Sequence, residues 1–298
     1  MSTQFCQVKT LKRDKKMRSP VLLIASGAQE IGKSYQSLLQ ALHLAYIAQS
    51  RRPTLLFDSS NEYSAYEIEG VTHKIQAIPH AGLTAFSNQR NADVKRLTPF
   101  HPNGAPLEPH ETEGLVMRAL KEFRPVLGGT LILEDMSNIF GDSLPDAVTG
   151  ALCTLRHRNC DCIIHLQSIG RVTPKLRQNA KIIRYHYQID SIADSKDKLT
   201  TEYEIFAIVE RLVNKQFYSG NKYFHVYVYR MVKRVKGQFS ERMFAEAIEE
   251  YIYDHPSCTS ILEKRRSPNG KKLYTYEEAV KIKKHELFNK YYGNNMEM

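Results

Sequence analysis

The chain has 298 residues, enough for one large α/β domain with an appendage and too few for two full domains with separate cores. Charged residues at 25 % and hydrophobic residues at 42 % exclude wholesale disorder, and no apolar run approaches the roughly 18 to 20 residues that cross a bilayer. The net charge of +10 suits a polyanionic partner such as nucleic acid.

In chain order, the first twenty residues carry Lys9, Lys12, Arg13, Lys15, Lys16 and Arg18 and stop at Pro20, which predicts a mobile basic arm over 1–20. Val21 to Ala25 is apolar without polar alternation, as in a parallel strand covered on both faces. A glycine loop follows, then a helix from Ser34 to about Gln49, marked by Leu38, Leu39, Leu42, Ala45 and Tyr46 at helical spacing. Pro53 to Asp58 is the second strand, and Lys74 to Ile78 suggests another. Residues 79–109, rich in Pro, Gly and Asn, predict a loop-rich insertion with at most one helix.

Periodicity resumes with a helix over Thr112 to Glu122 and the strand Thr130 to Leu133, which ends in Glu134-Asp135. A helix over Leu144 to Arg156 leads to the strand Cys162 to Leu166, which ends in Gln167-Ser168. Ile182 to Tyr187 predicts one more strand, Glu204 to Val213 an amphipathic helix, and Tyr223 to Val232 an alternating strand. Ser240 begins a capping box with Met243 where the acid should stand, before a helix to Tyr253. The tail from Glu263 to Tyr292 is basic, with Tyr274, Tyr276, Phe288, Tyr291 and Tyr292 interspersed. The strand-helix alternation predicts an α/β domain over 21–235 with a mainly parallel sheet and helices on both faces, followed by a small helical basic extension over 236–298.

Gly27-Ala28-Gln29-Glu30-Ile31-Gly32-Lys33-Ser34 satisfies G-x-x-x-x-G-K-[ST] between a strand and a helix, which the motif requires. In such a loop backbone N–H groups and the helix N-terminus cradle phosphates, with Tyr35 opening the helix beyond. Lys33 reaches the β/γ-phosphates and Ser34 ligates magnesium. A nucleoside triphosphate with Mg2+ is therefore the expected ligand, and ATP is the one the resemblance below implies. Glu134 stands where a Walker-B acid belongs and Asp135 where a catalytic acid often follows. The order is inverted relative to Asp-Glu, so the metal and water roles stay open between them, and either acid could instead cap the helix from Met136. Gln167 at a strand end can hold water or sense the γ-phosphate, Glu62 can orient water or metal, and Asp58 can do so or begin a turn. His157, His165 and His186 lack metal-ligand spacing and are expected to be structural or surface residues. The five cysteines, Cys6, Cys153, Cys160, Cys162 and Cys258, contain neither a C-x-x-C pair nor a zinc spacing, which fits reduced thiols in a cytoplasmic protein.

Asp58-Ser-Ser-Asn-Glu62-Tyr63 resembles the D-x-x-x-E-Y element of the HerA/FtsK superfamily of DNA-pumping ATPases, and Gln167 resembles that group's strand-end glutamine. The resemblance spans about Val21 to Tyr187. It implies a RecA-like core, a homo-oligomeric ring, with a hexamer favoured, and ATP-driven movement of DNA. Within that group the chain looks like the compact genome-packaging ATPases of viruses, which implies a capsid or portal-vertex partner and a place in the host cytoplasm or at the virion vertex. Arg156 and Arg158 are then the candidates for an arginine supplied to a neighbouring subunit's nucleotide. Arg156-His157-Arg158 also resembles the Zot-like proteins of filamentous phage morphogenesis. A nucleotide switch, a small-molecule kinase and an inactive nucleic-acid-binding protein are the remaining classes, and Asn214-Lys215-Gln216-Phe217 lacks the Asp of a guanine signature.

Overall fold

The apolar run after Pro20 forms β1 (Leu22–Ser26), all five residues buried, in a computed structural model that describes residues 20–47, 52–68, 70–89, 92–125, 128–141 and 144–293. The basic arm lies, apart from Pro20, outside the described residues. The further strands are β2 (Thr54–Phe57), β3 (Ala65–Ile68), β4 (Val71–Lys74), β5 (Gln76–Ala77), β6 (Val94–Leu97), β7 (Gly129–Leu133), β8 (Cys160–Leu166), β9 (Ile182–His186), β10 (His225–Tyr229) and β11 (Arg234–Gly237). The helices are α1 (Lys33–Leu42), α2 (Leu83–Ser87), α3 (Pro109–Glu122), α4 (Met136–Phe140), α5 (Asp146–Thr154), α6 (Pro174–Asn179), α7 (Lys196–Leu199), α8 (Tyr203–Tyr218), α9 (Glu241–Asp254), α10 (Ser260–Glu263) and α11 (Tyr276–Tyr291).

One nine-stranded sheet runs in the order β11-β10-β9-β1-β8-β7-β2-β6-β5, and β3 and β4 form a separate antiparallel hairpin. All neighbours from β9 to β5 are parallel; β10 and β11 are antiparallel additions. Alternate residues of β1 point into two cores, as the period of a strand requires. Leu23 and Ala25 join Leu38, Ala41 and Leu42 of α1, whereas Leu22 and Ile24 join the larger core of α3, α5, α8 and α9. Helices therefore cover both faces unequally. Ile24 is fully buried, so truncating it to Ala would cost about 2–5 kcal/mol.

Several boundaries differ from the sequence-based expectation, each for a local reason. α1 stops at Leu42 and continues as a π-helical turn over His43–Ile47. α3 begins three residues early because Glu108 and Glu111 form a reciprocal capping box and Pro109 sits in the first turn, where its missing N–H costs nothing. The insertion over 79–109 is not mere loop: besides α2 it contributes β6, which pairs with β2 from Thr54↔Val94 to Phe57↔Leu97. Only Gln76–Ala77 of the third expected strand, Lys74 to Ile78, pairs in the nine-stranded sheet. At α9 the incomplete cap is as expected, with Ser240 Oγ accepting from Met243 N–H at 3.2 Å. The 235/236 boundary falls inside β11, and Phe244, Ile248, Leu287 and Tyr291 beyond it share the larger core with α8.

Candidate active site

Because β1, β8, β7 and β2 are parallel, the motifs that follow them meet at one edge of the sheet. The loop after β1 is anchored by its neighbours: Gly27 N–H donates to the Leu166 carbonyl at 3.1 Å and Ala28 N–H to the Tyr187 carbonyl at 2.8 Å. No side chain fits at Gly27, where a Cβ would collide with Ile31 Cδ1 and lie 2.7 Å from His186 Cβ and 2.9 Å from the Tyr187 carbonyl. Gly32 caps α1 with φ 80°, a conformation natural to glycine, and a Cβ there would meet the Tyr223 ring at 3.0 Å. The loop is thus bare backbone turned around the start of α1, the geometry that presents N–H groups to phosphates.

Lys33 is buried, and its Nζ donates to the carbonyls of Gly27, at 2.7 Å, and Ala28. Burial lowers its pKa to about 8; Arg184 adds to the shift, while Asp135 and Glu134 oppose it. Asp135 is the larger of these two opposing influences.

Ser34, Tyr63 and Glu134 lie close enough together for the two hydroxyls to bear on the glutamate's charge. Glu134 is buried, and burial raises its carboxyl to about 8 against the opposing influence of the Ser34 and Tyr63 hydroxyls. Its Oε1 is buried without a hydrogen-bond partner, and the neutral His165, whose pKa burial holds well below the ordinary value, places Nδ1 3.7 Å from it. An orphaned carboxylate oxygen beside a serine hydroxyl is a hard-oxygen donor set that fits Mg2+. Bound there, magnesium would supply positive charge to phosphate oxygens; Ser34 and Glu134 would hold it, with the Tyr63 hydroxyl orienting both.

Asp135 caps α4 through its backbone rather than its side chain. Its carbonyl accepts from Asn138 N–H at 2.8 Å and Ile139 N–H at 3.2 Å, at φ 50°. The carboxylate is left half-buried, near enough to Lys33 and Glu134 to shift both. Gln167 ties to α4: its Nε2 donates to Asn138 Oδ1 at 3.0 Å and its N–H to Ser137 Oγ at 3.3 Å. It lines a concavity of about 360 Å³ with Ala28, Gln29, Arg171, Ile189 and Asp190. Glu30, at φ 59°, and Tyr35 are exposed on the loop's outer side, whereas Ile31 is buried.

The D-x-x-x-E-Y segment resolves into a scaffold and a contact. Asp58, fully buried, accepts from Glu62 N–H and Tyr63 N–H, each at 3.1 Å, and pairs with Arg96 of β6 at 2.9 Å. Its oxygens are thereby committed to the turn. Glu62 is exposed, and Tyr63 reaches the serine and the glutamate. Arg156 and Arg158 lie on a 3-10 turn, Leu155–Arg158, ahead of β8, with their side chains outside the described residues. Seven-residue β8 separates that turn from Gln167, roughly 20 Å at about 3.3 Å per residue. The structure therefore brings Lys33, Ser34, Glu134, Asp135 and Gln167 to one edge and leaves the two arginines at the other.

Sequence reasoning missed the polar row beneath α1. Ala25 pairs with His165 on one side and Arg184 on the other, and Arg184 pairs onward with Tyr227. His165 Nε2 lies 2.7 Å from Ser37 Oγ. His186 is buried with neither ring nitrogen bonded, and His225, stacked on it at 4.9 Å, is lowered by burial to about 4. The histidines are neutral interior residues, and among the described residues no His, Cys, Asp or Glu cluster could hold a metal by itself. No described helix is long and apolar enough to cross a membrane.

Sheet order, phosphate loop and converging acids define an α/β P-loop NTPase fold. No protein-family model matches the chain, and no curated protein matches it. Among solved structures it is similar to the genome packaging NTPase B204 from Sulfolobus turreted icosahedral virus 2. The complex with AMPPCP is 13 % identical at a TM-score of 0.46, covering 72 % of this chain and 95 % of that one. The complex with ATP-gammaS is 14 % identical at 0.46, covering 74 % and 96 %. B204 described as the DNA-packaging ATPase from Sulfolobus turreted icosahedral virus is 13 % identical at 0.46, covering 73 % and 97 %.

Proposed function

We propose that this chain is an ATP hydrolase that moves DNA, a viral or phage genome-packaging motor working as an oligomeric ring. The hydrolase reading is carried by one observation: Ser34, Tyr63 and the buried Glu134 converge beside a phosphate loop too tight for any side chain at Gly27. In this reading the loop N–H groups and Lys33 hold the triphosphate, and Ser34 and Glu134 hold magnesium. Asp135, near Lys33, takes the proton of the attacking water, and Gln167 positions that water. The motor reading is supported by the D-x-x-x-E-Y resemblance, by the strand-end glutamine and by the net charge of +10.

Phosphate release measured with and without double-stranded DNA tests both levels. Hydrolysis that is stimulated by DNA and abolished by Lys33→Ala is the expected result. DNA-independent phosphate transfer to a metabolite would replace the motor by a kinase, and absence of hydrolysis would remove the catalytic reading.

A further inference from the structure

The basic tail divides into two parts with different electrostatic fates. In α11 the lysines are largely matched by acids. Lys283 pairs with Glu286 at 3.1 Å, Lys284 meets Glu249 of α9 at 2.5 Å, and Lys290 meets Glu204 of α8 at 2.8 Å. The aromatic residues of this segment are also used: Tyr291 is buried, and Phe288 and Tyr292 stack at 4.6 Å against the core. That helix is a docked structural element, not a free cationic surface.

Ahead of it, residues 264–273 fold into a small exposed hairpin. Arg266 and Lys272 form an antiparallel bridge, Ser267 N–H donates to the Lys271 carbonyl at 2.8 Å, and Leu273 N–H donates to the Arg265 carbonyl at 3.1 Å. Gly270 at φ 74° closes the turn, where glycine avoids the strain of a Cβ. Lys264, Arg265, Arg266, Lys271 and Lys272 are all exposed, the stretch contains no acid, and among the described residues none of the five forms an ion pair. Arg266 Nη1 bonds only to main-chain carbonyls, which orient the guanidinium without neutralising it.

We infer that this hairpin is the chain's contact with the phosphate backbone of a nucleic acid. Five like charges held close together by a two-stranded scaffold repel one another, and a polyanion with regularly repeated charges relieves that repulsion while releasing its own counterions. The tip, Pro268-Asn269-Gly270, has no large aliphatic or aromatic side chain to enter a lipid interface, and Leu273, 48 % exposed, stands at the base. Nothing in the hairpin reads bases, so the contact is independent of sequence. The inference rests on the DNA-motor reading for its partner and adds the element that makes the contact.

The test compares two full-length variants by fluorescence anisotropy with a short DNA duplex at several salt concentrations, together with basal ATP hydrolysis. One variant combines Lys264→Gln, Arg265→Gln, Arg266→Gln, Lys271→Gln and Lys272→Gln; the other combines Lys283→Gln and Lys290→Gln. The hairpin variant is expected to keep basal hydrolysis while its log-affinity slope against log salt becomes shallower by about 0.9 for each phosphate no longer neutralised. The helix variant is expected to keep the wild-type slope. An unchanged slope in the hairpin variant, or an equal change in the helix variant, overturns the inference and leaves the motor reading standing. If wild-type protein binds no duplex, the motor reading fails too. Loss of binding to anionic lipid vesicles with DNA binding intact assigns the hairpin to a membrane and overturns the nucleic-acid contact.

Discussion

Arg184 donates from Nη2 to the main-chain carbonyl of Lys33 at 2.8 Å, and again to Ser37 Oγ at 2.5 Å, so a fully buried guanidinium lies against the helix that opens on the lysine of the glycine loop. Its Nε and Nη1 have no hydrogen-bond partners, and among the described residues it pairs with no carboxylate. An uncompensated interior charge is costly, and an anion bound nearby offsets that cost. Arg184→Met is therefore expected to weaken ATP binding about tenfold or more, ~1.4 kcal/mol, with a smaller loss for ADP and the least for AMP. Calorimetric titration of the three nucleotides checks this. Equal losses for all three would make Arg184 a mere clamp on α1.

Tyr63→Phe removes the hydroxyl that lies near Ser34 and Glu134 while keeping the ring. Loss of a group that orients metal ligands costs about 10- to 100-fold in metal affinity or activity. The expected result is a higher magnesium concentration for half-maximal hydrolysis, with nucleotide-free stability little changed. A wild-type magnesium dependence would leave the hydroxyl without a role at the metal.

Gly27→Ala would force a methyl group into Ile31, His186 and the Tyr187 carbonyl, all closer than 3.0 Å to the ideal Cβ. Overpacking of this kind costs about 1–3 kcal/mol, and here the strain falls on the phosphate loop. Thermal melting should show a lower Tm, and the rise on addition of ATP expected for the wild type should be lost.

Glu204 on α8 accepts from Lys290 at 2.8 Å and from the Tyr291 hydroxyl at 2.5 Å, fastening the last helix. Burial alone would raise its pKa, but those two bonds together with the charges of Lys290 and Lys283 outweigh it and hold the carboxyl below the ordinary value. A depressed carboxyl stabilises the fold above its unfolded pKa, and that contribution disappears as pH falls through the folded value. Glu204→Gln should thus cost about 1 kcal/mol near neutral pH. The difference in Tm from wild type should narrow below the ordinary carboxylate range, and a pH-independent difference would contradict the assignment.

Arg156 belongs to the sheet edge away from the phosphates, so a catalytic role would have to be exercised on a neighbouring subunit. Arg156→Ala should leave ATP binding nearly intact and lower DNA-stimulated turnover by roughly 10³-fold, with Arg158→Ala the second candidate. Mixing Arg156→Ala chains with Lys33→Ala chains should restore activity where an intact loop meets an intact arginine. Confirmed mixed rings without recovery, alongside normal hydrolysis by Arg156→Ala alone, remove the assignment.

The strand-loop-helix unit and the β7 acids were legible because each couples a chain-local motif to an apolar run. β6 was not: Val94-Lys-Arg-Leu97 is four residues with apolar ends only, and it becomes a strand by pairing with β2. Tyr63 stood in a recognisable element, but its role depends on a turn fixed by Asp58 and by Arg96, 38 residues further on. Arg184 was invisible for a similar reason, since the sheet order, not the chain order, sets β9 beside β1. Its charge, in a strand otherwise buried, was the one signal available.

The two margins of the sheet are both blunted. β5 contributes two residues, and β11 carries a bridge from Val235 to Tyr292 at the end of α11, with Gly293 N–H donating back to the Val235 carbonyl at 3.1 Å. Among the described residues the sheet therefore offers no long open row of backbone groups on which a second copy could extend it, and runaway fibre-like stacking through those margins is suppressed. Self-association falls to side-chain surfaces, which can come apart and re-form without unravelling any strand.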